Sequence, residues 1–516
     1  MIVRSPLADI AIPNLSVPEF VLARAREHGE RAALIDSDTG RTISYAQLLE
    51  GAERIAAGLA ARGFRPSDVA AIFAPNLPEF ALAYYGVMLA GGKVTTLSPL
   101  ATAADVAEQL RHSGARILFT VPVLVERAKA AAVDIIVFGE GPGAIPFATL
   151  LSAQGAAPKH HRDADEIAVL PYSSGTTGLP KGVMLTHRNL VANVLQIADM
   201  QHIDESDRVI AILPFFHIYG MNVVLNFGLY SGATLVTCSK FELGSFLKVM
   251  EQYRITRAFL APPCIVLLSK HPLVDAHDLS ALRVIFSGAA PLDEALQATC
   301  AARLGCEVFQ GYGLTESSPV SHSSCQKPLR AKAGSVGVLA PNTEGLVVDT
   351  VTGIPLSAGQ DGEIWIRGPQ VMCGYLDNPE ASAATVDQDG WLHTGDIGHV
   401  DEDGFFFIVD RLKELIKYKG YQVPPAELEA VLLTHPAVAD AAVIGVPNEG
   451  AGEWPKAFVV RCSAISETEL MNFVAEQVAP YKKVRLIEFV ESIPKSASGK
   501  ILRRILRERE AKSCLL

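Results

Sequence analysis

The stretch from Tyr172 to Val183 concentrates groups that can bind an anion. It reads Tyr-Ser-Ser-Gly-Thr-Thr-Gly-Leu-Pro-Lys-Gly-Val and follows an apolar run, Ile167 to Leu170, that predicts a short buried strand. Glycines let successive main-chain N–H groups converge on one anion, while hydroxyls add donors and a lysine adds a positive charge suited to a phosphate. The stretch predicts a polyphosphate cradle formed by Ser173, Ser174, Gly175, Thr176, Thr177 and Lys181.

This cradle is not a Walker A loop. That motif requires Gly-x-x-x-x-Gly-Lys-Ser/Thr, but counting from Gly175 places Pro180 at the second glycine position and Gly182 after the lysine. A solvated Gly/Ser/Thr turn is the alternative for so short a stretch. The density of donors directly after a buried strand favours phosphate binding.

A second stretch, Gln310-Gly-Tyr-Gly-Leu-Thr-Glu316, offers a flat binding surface and oxygen ligands. Its glycines, Gly311 among them, let the main chain pass close to a planar ring, and Tyr312 offers a stacking face. Thr315 and Glu316 supply the oxygen ligands that Mg²⁺ prefers alongside phosphate oxygens. On its own, the stretch is also compatible with a tight turn that carries an exposed carboxylate.

Both stretches resemble motifs of the adenylate-forming superfamily, which includes acyl-CoA synthetases, peptide-synthetase adenylation domains and beetle luciferases. Ser173 to Gly182 is similar to its phosphate loop, and the resemblance implies that Gln310 to Glu316 holds adenine, the adenylate phosphate and the metal ion. Ser287-Gly-Ala-Ala-Pro291 resembles the wall of the same adenine site. Trp391-Leu-His-Thr-Gly-Asp396 resembles the ribose clamp, in which Asp396 accepts hydrogen bonds from both sugar hydroxyls.

Two further motifs stand in the last hundred residues. Asp410 to Gln422 resembles the segment that starts the superfamily's C-terminal domain, where Arg411 also reaches the ribose and Lys413 is the hinge. The same resemblance implies a loop that enters the site for the second half-reaction and binds CoA, with the residues Lys417, Lys419, Gly420 and Gln422. Pro494 to Lys500 matches the terminal motif, whose last lysine is catalytic. An amphipathic basic stretch on a solvated face is the alternative for the segment after Asp410.

These residues can activate a carboxylic acid without a catalytic base. The acid is already ionised at pH 7, so the obstacle is its repulsion by a triphosphate. Two unit charges about 4 Å apart interact by roughly 4 kcal/mol at an effective dielectric constant of 20. We expect the charge to be neutralised by Lys181, by Mg²⁺ at Glu316 and by Lys500, giving an acyl adenylate and pyrophosphate. The resemblance implies that the catalytic residues are Lys500, Lys417, His217, Thr315 and Glu316.

The acyl acceptor and the acid are predicted from the closer resemblance to acyl-CoA ligases of the 4-coumarate:CoA ligase type. Phe216-His217-Ile-Tyr219-Gly matches the ligase pattern, and Lys240 aligns with a position associated with the CoA nucleotide. The resemblance implies an acid pocket formed by His217, Tyr219, Phe286, Ala289, Gly311, Val320 and Ser321. Phe286 replaces a lysine that is frequent in plant coumarate ligases, and Ser321 replaces a leucine. These departures leave cinnamate-like acids and medium-chain fatty acids open.

Other functions share nearly all of these motifs. A luciferase-like oxygenase is disfavoured only by the Phe-His-Ile-Tyr sequence. A ligase that transfers the acyl group to a carrier protein would differ in whether free CoA is consumed. A non-catalytic adenylate or acyl-CoA sensor would lack Lys181, Glu316 or Lys500, and all three are present.

The chain-wide pattern predicts an α/β fold with several parts. Strand and helix signals alternate through about residue 325, with predicted strands at Val69 to Ala74 and Arg116 to Val121, which favours doubly wound parallel sheets. Short alternating strands with Asp-Gly turns predict a β subdomain over about 330–410. We expect an N-terminal AMP-binding domain over 1–410 and a small, mobile α+β lid domain over 411–516 that contributes to catalysis.

Composition and net charge indicate which partners and which compartment to expect. The net charge of −11 disfavours nucleic acid. The 8 cysteines are scattered without a metal-binding spacing, as is typical of a reduced compartment, and we expect a cytoplasmic protein. Val209 to Ser239 carries no Asp, Glu, Lys or Arg but is broken by Pro214 and several glycines, so it predicts buried strand, pocket loop and helix rather than a membrane span. The expected ligands are ATP, Mg²⁺, CoA and a small carboxylic acid, in a monomer or homodimer.

Overall fold

The structure is a computed structural model, and it describes residues 1–158, 163–173, 180–324, 331–419, 421–448, 450–496 and 499–513. Its strands are, in chain order, β1 Val3–Arg4, β2 Ala32–Asp36, β3 Thr42–Ser44, β4 Val69–Phe73, β5 Lys93–Leu97, β6 Ala115–Thr120, β7 Asp134–Val137, β8 Ile145–Pro146, β9 Ile167–Leu170, β10 Tyr172–Ser173, β11 Lys181–Thr186, β12 Arg208–Ala211, β13 Thr234–Thr237, β14 Arg257–Leu260, β15 Val284–Ser287, β16 Glu307–Gly313, β17 Val320–Ser323, β18 Val338–Leu339, β19 Glu344–Val348, β20 Gly362–Arg367, β21 Gly374–Tyr375, β22 Leu392–Val400, β23 Phe406–Arg411, β24 Ile416–Tyr418, β25 Tyr421–Val423, β26 Val438–Asn448, β27 Gly452–Arg461 and β28 Leu486–Phe489.

The helices are α1 Val17–Val21, α2 Ala25–His28, α3 Tyr45–Ala61, α4 Pro78–Leu89, α5 Ala103–Ser113, α6 Val125–Ala128, α7 Ala148–Leu151, α8 His187–Met200, α9 Phe227–Tyr230, α10 Leu243–Gln252, α11 Pro262–Lys270, α12 Glu294–Leu304, α13 Pro379–Thr385, α14 Pro425–Thr434, α15 Glu467–Ala475 and α16 Arg503–Ser513. Short 3₁₀ turns cover Pro122–Leu124, Pro272–Ala276 and Thr315–Ser317, and a π-helical stretch covers Tyr219–Asn226.

Several helices begin at side chains that cap them. The hydroxyl of Ser44 accepts from the main-chain N–H of Gln47, while the Gln47 side chain accepts from the N–H of Ser44. Thr102 and Asp105 form the same reciprocal pair at the start of α5. Each pair satisfies two N–H groups that have no partner within the helix.

Two α/β sheets form the body of the molecule. The first has the strand order β10-β11-β9-β5-β4-β6-β7-β8, and the second has the order β18-β17-β16-β15-β14-β12-β13-β2-β3. Their central strands are parallel. One buried cluster combines residues of both sheets with helices α3, α4 and α8, while two further clusters cover the opposite faces of the sheets. Each sheet is therefore covered on both sides, as the predicted doubly wound fold requires.

Two smaller sheets follow in the chain. The third is antiparallel, in the order β1-β19-β20-β22-β23, and the fourth has the order β25-β24-β27-β26 with β28 beside β27. The fourth sheet and helices α14 and α15 enclose a hydrophobic core of their own. The structure thus confirms the predicted fold class, a large N-terminal α/β domain with a β subdomain and a small α+β C-terminal domain.

The uncharged stretch from Val209 to Ser239 is buried inside the second sheet and its helices. It contains most of β12, the π-helical stretch, α9 and β13, which confirms the prediction of strand, loop and helix. Among the described residues, helices with both the length and the apolar character for a membrane span are absent.

Candidate active site

The two ends of the predicted phosphate loop are fixed by a strand pair. Ser173 of β10 lies opposite Lys181 of β11 in an antiparallel register. The ammonium nitrogen of Lys181 lies 4.7 Å from the ring centroid of Tyr375. The intervening predicted residues, Ser174, Gly175, Thr176 and Thr177, lie outside the described part of the chain.

Strand β16 carries the predicted adenine segment along the edge of the parallel part of the second sheet. The buried Gln310 amide donates to the main-chain oxygen of Leu292 (3.1 Å) and to the side chain of Gln297 (2.9 Å), so it orders the loop before α12. Gly311 faces the ring of Phe286, and a Cβ atom there would lie 2.5 Å from the ring. Only glycine allows this approach of the main chain to the aromatic ring.

Tyr312, Asp396 and Arg411 form one group, joined by a hydrogen bond and an ion pair. The Tyr312 hydroxyl donates to Oδ2 of Asp396 (2.6 Å), and the guanidinium Nε of Arg411 lies 3.0 Å from Oδ1. Asp396 on β22 and Arg411 on β23 are direct cross-strand partners. Burial, reinforced by the Asp396 carboxylate, holds the pKa of Tyr312 well above its usual range, so the phenol remains a donor.

Thr315 and Glu316 lie in the 3₁₀ turn that follows β16. One oxygen of the Glu316 carboxylate, Oε1, accepts a hydrogen bond from the Tyr375 hydroxyl (2.8 Å), and the main-chain oxygen of Glu316 accepts from the N–H of Met372 (2.9 Å). Burial and the adjacent Glu316 carboxylate raise the pKa of Tyr375. The turn is therefore attached to the β21 segment through both main chain and side chain.

The C-terminal domain contributes Lys500 to this group. The Lys500 N–H donates to the hydroxyl of Ser496 (3.1 Å), and its carbonyl accepts from the Ser496 N–H (2.8 Å), which closes the loop that presents the lysine. Burial lowers the pKa of Lys500 to about 8, assisted by the positive charge of Arg411 and opposed by the carboxylates of Glu414 and Asp396. Lys500 thus lies within electrostatic reach of the Tyr312–Asp396–Arg411 group.

His217 faces Lys500 from the N-terminal domain. Burial, with a smaller contribution from the charge of Lys500, lowers the pKa of His217 to about 4, so the imidazole is neutral at pH 7. Its Nδ1 accepts the main-chain N–H of Tyr219 (3.2 Å). The neutral ring therefore carries its proton on Nε2, which can donate to an acid or its adenylate.

The predicted acid-pocket residues lie around β15 and β17. The Tyr219 hydroxyl donates to the main-chain oxygen of Phe286 (3.3 Å), and Ser321 donates to that of Tyr312 (3.2 Å). The Phe286 ring packs against Phe259, with 5.8 Å between the centroids. The remaining predicted positions differ in exposure, since Val320 is buried and Ala289 is exposed with a φ of +73°.

The predicted CoA and hinge residues are mostly on the surface. Lys240 is exposed after β13, and Lys413 is exposed in the turn after β23. In the β24–β25 hairpin, Lys417 pairs with Gln422, and their neighbour Lys419 donates its N–H to the main-chain oxygen of Ala451 (2.8 Å). The described hydrogen bonds of this hairpin lie within the C-terminal domain, and Gly420 lies outside the described residues.

Two polar residues of the site carried no signal in the sequence. Tyr375 contacts both Lys181 and Glu316, but the Gly-Tyr pair in which it stands belongs to none of the motifs identified in the sequence. Asn193 on α8 donates to the main-chain oxygen of Val320 (2.7 Å) and accepts from its N–H (3.1 Å), which fixes the pocket strand β17. A lone asparagine within an amphipathic helix gives no such indication.

Comparison with protein families identifies the class of the chain. Residues 21–376 match the family described as AMP-binding enzyme, and residues 427–500 match the AMP-binding enzyme C-terminal domain. The chain belongs to this family of AMP-binding enzymes.

Individual relatives agree with that class. The chain is 44% identical to 4-coumarate–CoA ligase 3 from Oryza sativa subsp. japonica, over 99% of this chain and 95% of the relative. It is similar to the anthranilate CoA ligase AuaEII in complex with anthranoyl-AMP, with a TM-score of 0.91, 27% identity and coverage of 98% of this chain and 99% of that one. It is also similar to a benzoate CoA ligase from Burkholderia xenovorans LB400, with a TM-score of 0.87 and 29% identity. The match covers 96% of this chain and 100% of that one. These relatives confirm the predicted resemblance and the enzyme class, an AMP-forming acid–thiol ligase.

Proposed function

We propose that the chain activates an aryl carboxylic acid with ATP as an acyl adenylate and then transfers the acyl group to CoA. The observation that supports this most directly is that Lys500, which comes from the C-terminal domain, lies within electrostatic reach of Asp396, Arg411 and His217. A cation and a neutral histidine then face the region where a carboxylate must meet the α-phosphate. This arrangement is suited to the first half-reaction.

In that half-reaction a carboxylate oxygen of the acid forms a bond to the α-phosphorus, and the bond to the pyrophosphate oxygen breaks. Lys500 offsets the negative charge shared by the acid and the α-phosphate, and Lys181 offsets that of the phosphates that leave. Tyr312, Asp396 and Arg411 hold the nucleoside. His217 can donate its Nε2 proton as a hydrogen bond to the acid's carboxyl group without changing its protonation state.

Mg²⁺ fits the donor set at the turn after β16. Among the described contacts, Glu316 engages Oε1 with Tyr375, which leaves Oε2 for a cation, and Thr315 precedes Glu316 in the same turn. Mg²⁺ is commonly bound through one or two carboxylates together with substrate phosphates. When bound there it would neutralise phosphate charge, while Glu316 and Thr315 would hold it.

The second half-reaction requires the C-terminal domain to turn. The CoA thiolate attacks the acyl carbonyl, AMP leaves, and a thioester forms. We place Lys417, Lys419, Gly420, Gln422 and Lys240 near CoA in this step, with Lys413 as the hinge between domains at 1–410 and 411–516. Within the first domain, the α/β subdomains span about 1–325 and the β subdomain about 330–410. The exposed position of the β24–β25 hairpin supports a separate orientation for thioester formation.

An aryl acid is favoured by the relatives, whose names specify coumarate, anthranilate and benzoate. A medium-chain fatty acid, luciferase-like oxygenation, acyl transfer to a carrier protein and a non-catalytic sensor are not favoured by them. We further propose a cytoplasmic monomer or homodimer that does not bind nucleic acid. The free thiols of the described cysteines support a reduced compartment.

ATP–pyrophosphate exchange measured with cinnamate, 4-coumarate, benzoate and octanoate tests the proposal. We expect exchange with an aryl acid, and CoA-dependent release of AMP with the same acid. Lys500→Ala should lose exchange by several orders of magnitude but still form thioester from pre-formed acyl adenylate and CoA. Exchange with octanoate alone would contradict the aryl assignment, and failure of Lys500→Ala in both assays would contradict the role of Lys500.

A further inference from the structure

Tyr375 lies between the strand that begins at Lys181 and the turn that contains Glu316. It ends β21, which pairs with β11 through the register Val183↔Tyr375, on the strand that begins at Lys181. Main-chain hydrogen bonds tie its segment in both directions, from Leu376 to Gly182 (2.8 Å) and from Met372 to Glu316 (2.9 Å). The side chain itself is only 6% exposed.

The two ends of the Tyr375 side chain contact opposite charges. Its hydroxyl donates to Oε1 of Glu316 at 2.8 Å. Its ring lies 4.7 Å below the ammonium of Lys181. The ring face is attractive to a cation, and a protonated phenol can only donate to a carboxylate, so each end suits its partner.

Without this ring, Lys181 and Glu316 would be natural partners. They are a flexible ammonium and a carboxylate, both half-buried, that share one neighbour, and opposite charges attract each other. Among the described ion pairs none joins them. A direct pair would remove the ammonium from a phosphate and the carboxylate from a cation.

We propose that Tyr375 is a positioning residue that keeps Lys181 and Glu316 from pairing, so that the ammonium stays available to a phosphate and the carboxylate to a divalent cation. The inference rests on the proposed function, because it assumes that ATP and a divalent cation are bound at these groups. It assigns two separable roles to one side chain. The ring separates the charges, and the hydroxyl orients the carboxylate.

Two substitutions separate those roles. Tyr375→Phe keeps the ring and loses the hydroxyl, so it should weaken cation binding about tenfold, equivalent to about 1.4 kcal/mol, and leave metal-free ATP affinity within twofold. Tyr375→Leu loses both, so Lys181 and Glu316 pair and both affinities fall about tenfold. Adding Glu316→Gln to Tyr375→Leu should restore metal-free ATP affinity, because the lysine no longer has an anionic partner. A purely structural defect would not be rescued in this way.

The measurements are Mn²⁺ titrations followed by electron paramagnetic resonance with ATP present, and ATP binding by calorimetry in EDTA. Neither uses acid or CoA. Tyr45→Phe is the matched control, because it removes a buried phenol hydroxyl that donates to the Ala233 carbonyl (2.7 Å), and it should leave both affinities unchanged.

The proposal is overturned if Tyr375→Phe binds Mn²⁺ as the unaltered protein does, or if Glu316→Gln fails to rescue ATP binding in Tyr375→Leu. If the unaltered protein binds neither ATP nor Mn²⁺ with ATP, the proposed function fails as well. A protein that binds both, with variants that do not differ from it, rejects only the role of Tyr375.

Discussion

The ammonium of Lys500 lies in surroundings that oppose its charge. Burial is the main cause of its lowered pKa, and the guanidinium groups of Arg411 and Arg503 add to it, while Glu414 and Asp396 act in the other direction. A pKa of about 8 leaves the free enzyme's lysine charged below pH 8 and neutral above it. Because the role proposed for Lys500 in the first half-reaction requires this charge, activity should depend on pH in this range.

We therefore predict that kcat/KM for ATP in pyrophosphate exchange is flat from pH 6.5 to 7.5 and falls above about pH 8. This parameter reports the ionisations of the free enzyme. Lys500→Arg should lower the plateau but abolish the fall, because a guanidinium stays charged to pH 12 or beyond. The histidine does not interfere, since the pKa of His217 is lowered to about 4. If kcat/KM falls above pH 8 in Lys500→Arg as it does in the unaltered protein, the ionisation belongs to another group.

The proposed acid pocket offers few free polar groups beside Phe286. The hydroxyls of Tyr219 and Ser321 already donate to main-chain oxygens. A small cavity of about 10 Å³ lies beyond the ring, lined in part by Phe259, Val284 and Gln201. A catechol placed here would bury hydroxyls without partners, at about 1–3 kcal/mol each.

We predict that cinnamate has at least tenfold higher kcat/KM than caffeate, measured as acyl-CoA formation at saturating ATP and CoA. Phe286→Ala should narrow the ratio, because removing the ring opens the pocket to the cavity. The variant's melting temperature checks that it is folded, since removing a buried phenylalanine costs about 3–5 kcal/mol. A tenfold preference for caffeate in the unaltered enzyme would contradict this description of the pocket.

At the scale of elements, the proposed hinge is a short turn with defined hydrogen bonds. The carbonyl of Arg411 accepts from the N–H groups of Glu414 (2.9 Å) and Leu415 (3.1 Å), and the N–H of Leu412 donates to Gly395 (2.9 Å). These bonds give the turn a helix-like conformation, and we propose that this conformation keeps Lys500 close to the N-terminal domain. Lys413 is exposed within the turn, so its side chain can be changed without loss of packing.

Lys413→Pro should weaken that turn. Proline disfavours the α conformation for the preceding residue, here Leu412. We therefore expect pyrophosphate exchange to fall much more than thioester formation from supplied acyl adenylate and CoA, with both rates measured in single turnovers. Lys413→Ala is the control and should leave both rates near those of the unaltered enzyme. Equal losses in both half-reactions in folded Lys413→Pro would count against a hinge.

The sequence predicted local elements closely and their assembly less well. β9 has its predicted bounds, and β4 and β6 differ from theirs by one residue at one or both ends, because apolar runs and flanking turns are local signals. The placement of β2 beside β13 in the second sheet had no such signal. When two neighbouring strands are far apart in sequence, their pairing is determined by packing in the folded chain.

In the candidate active site, too, local motifs were predicted from the sequence, whereas contacts between distant segments were not. Asp396 and Arg411 were predicted in one site, and the turn signal between them is consistent with their cross-strand pairing. The contact of Tyr375 with Glu316 joins residues 59 positions apart and depends on a two-residue strand, β21, too short to show a period. Motifs could identify the residues that bear charge, but not the neutral side chain between them.

At the scale of the whole molecule, the described contacts of the C-terminal domain with α11 are small. The ammonium of Lys270 at the end of α11 donates to the main-chain oxygen of Leu433 (2.9 Å). The Gly499 loop lies against the start of α11, where a Cβ atom on Gly499 would be 3.0 Å from the Cβ of Ala261. Contacts this limited are compatible with the proposed reorientation of the C-terminal domain between the two half-reactions.

Gly499→Ala should therefore disturb adenylation selectively. The added methyl group would meet Ala261, and the φ of +83° at Gly499 disfavours any other residue, so the loop that presents Lys500 must shift. We expect pyrophosphate exchange to fall at least tenfold, while thioester formation from supplied adenylate and CoA stays within threefold of the unaltered rate.

Gly404→Ala provides a matched control for this test. Gly404 has nearly the same φ, +85°, but no atom lies within 4 Å of its added Cβ. It therefore carries the same backbone strain without the contact between domains, and both half-reactions should persist. If Gly404→Ala reduces exchange as much as Gly499→Ala, strain alone explains the effect. If Gly499→Ala slows both half-reactions equally, the loop does not act through the closed orientation of the two domains.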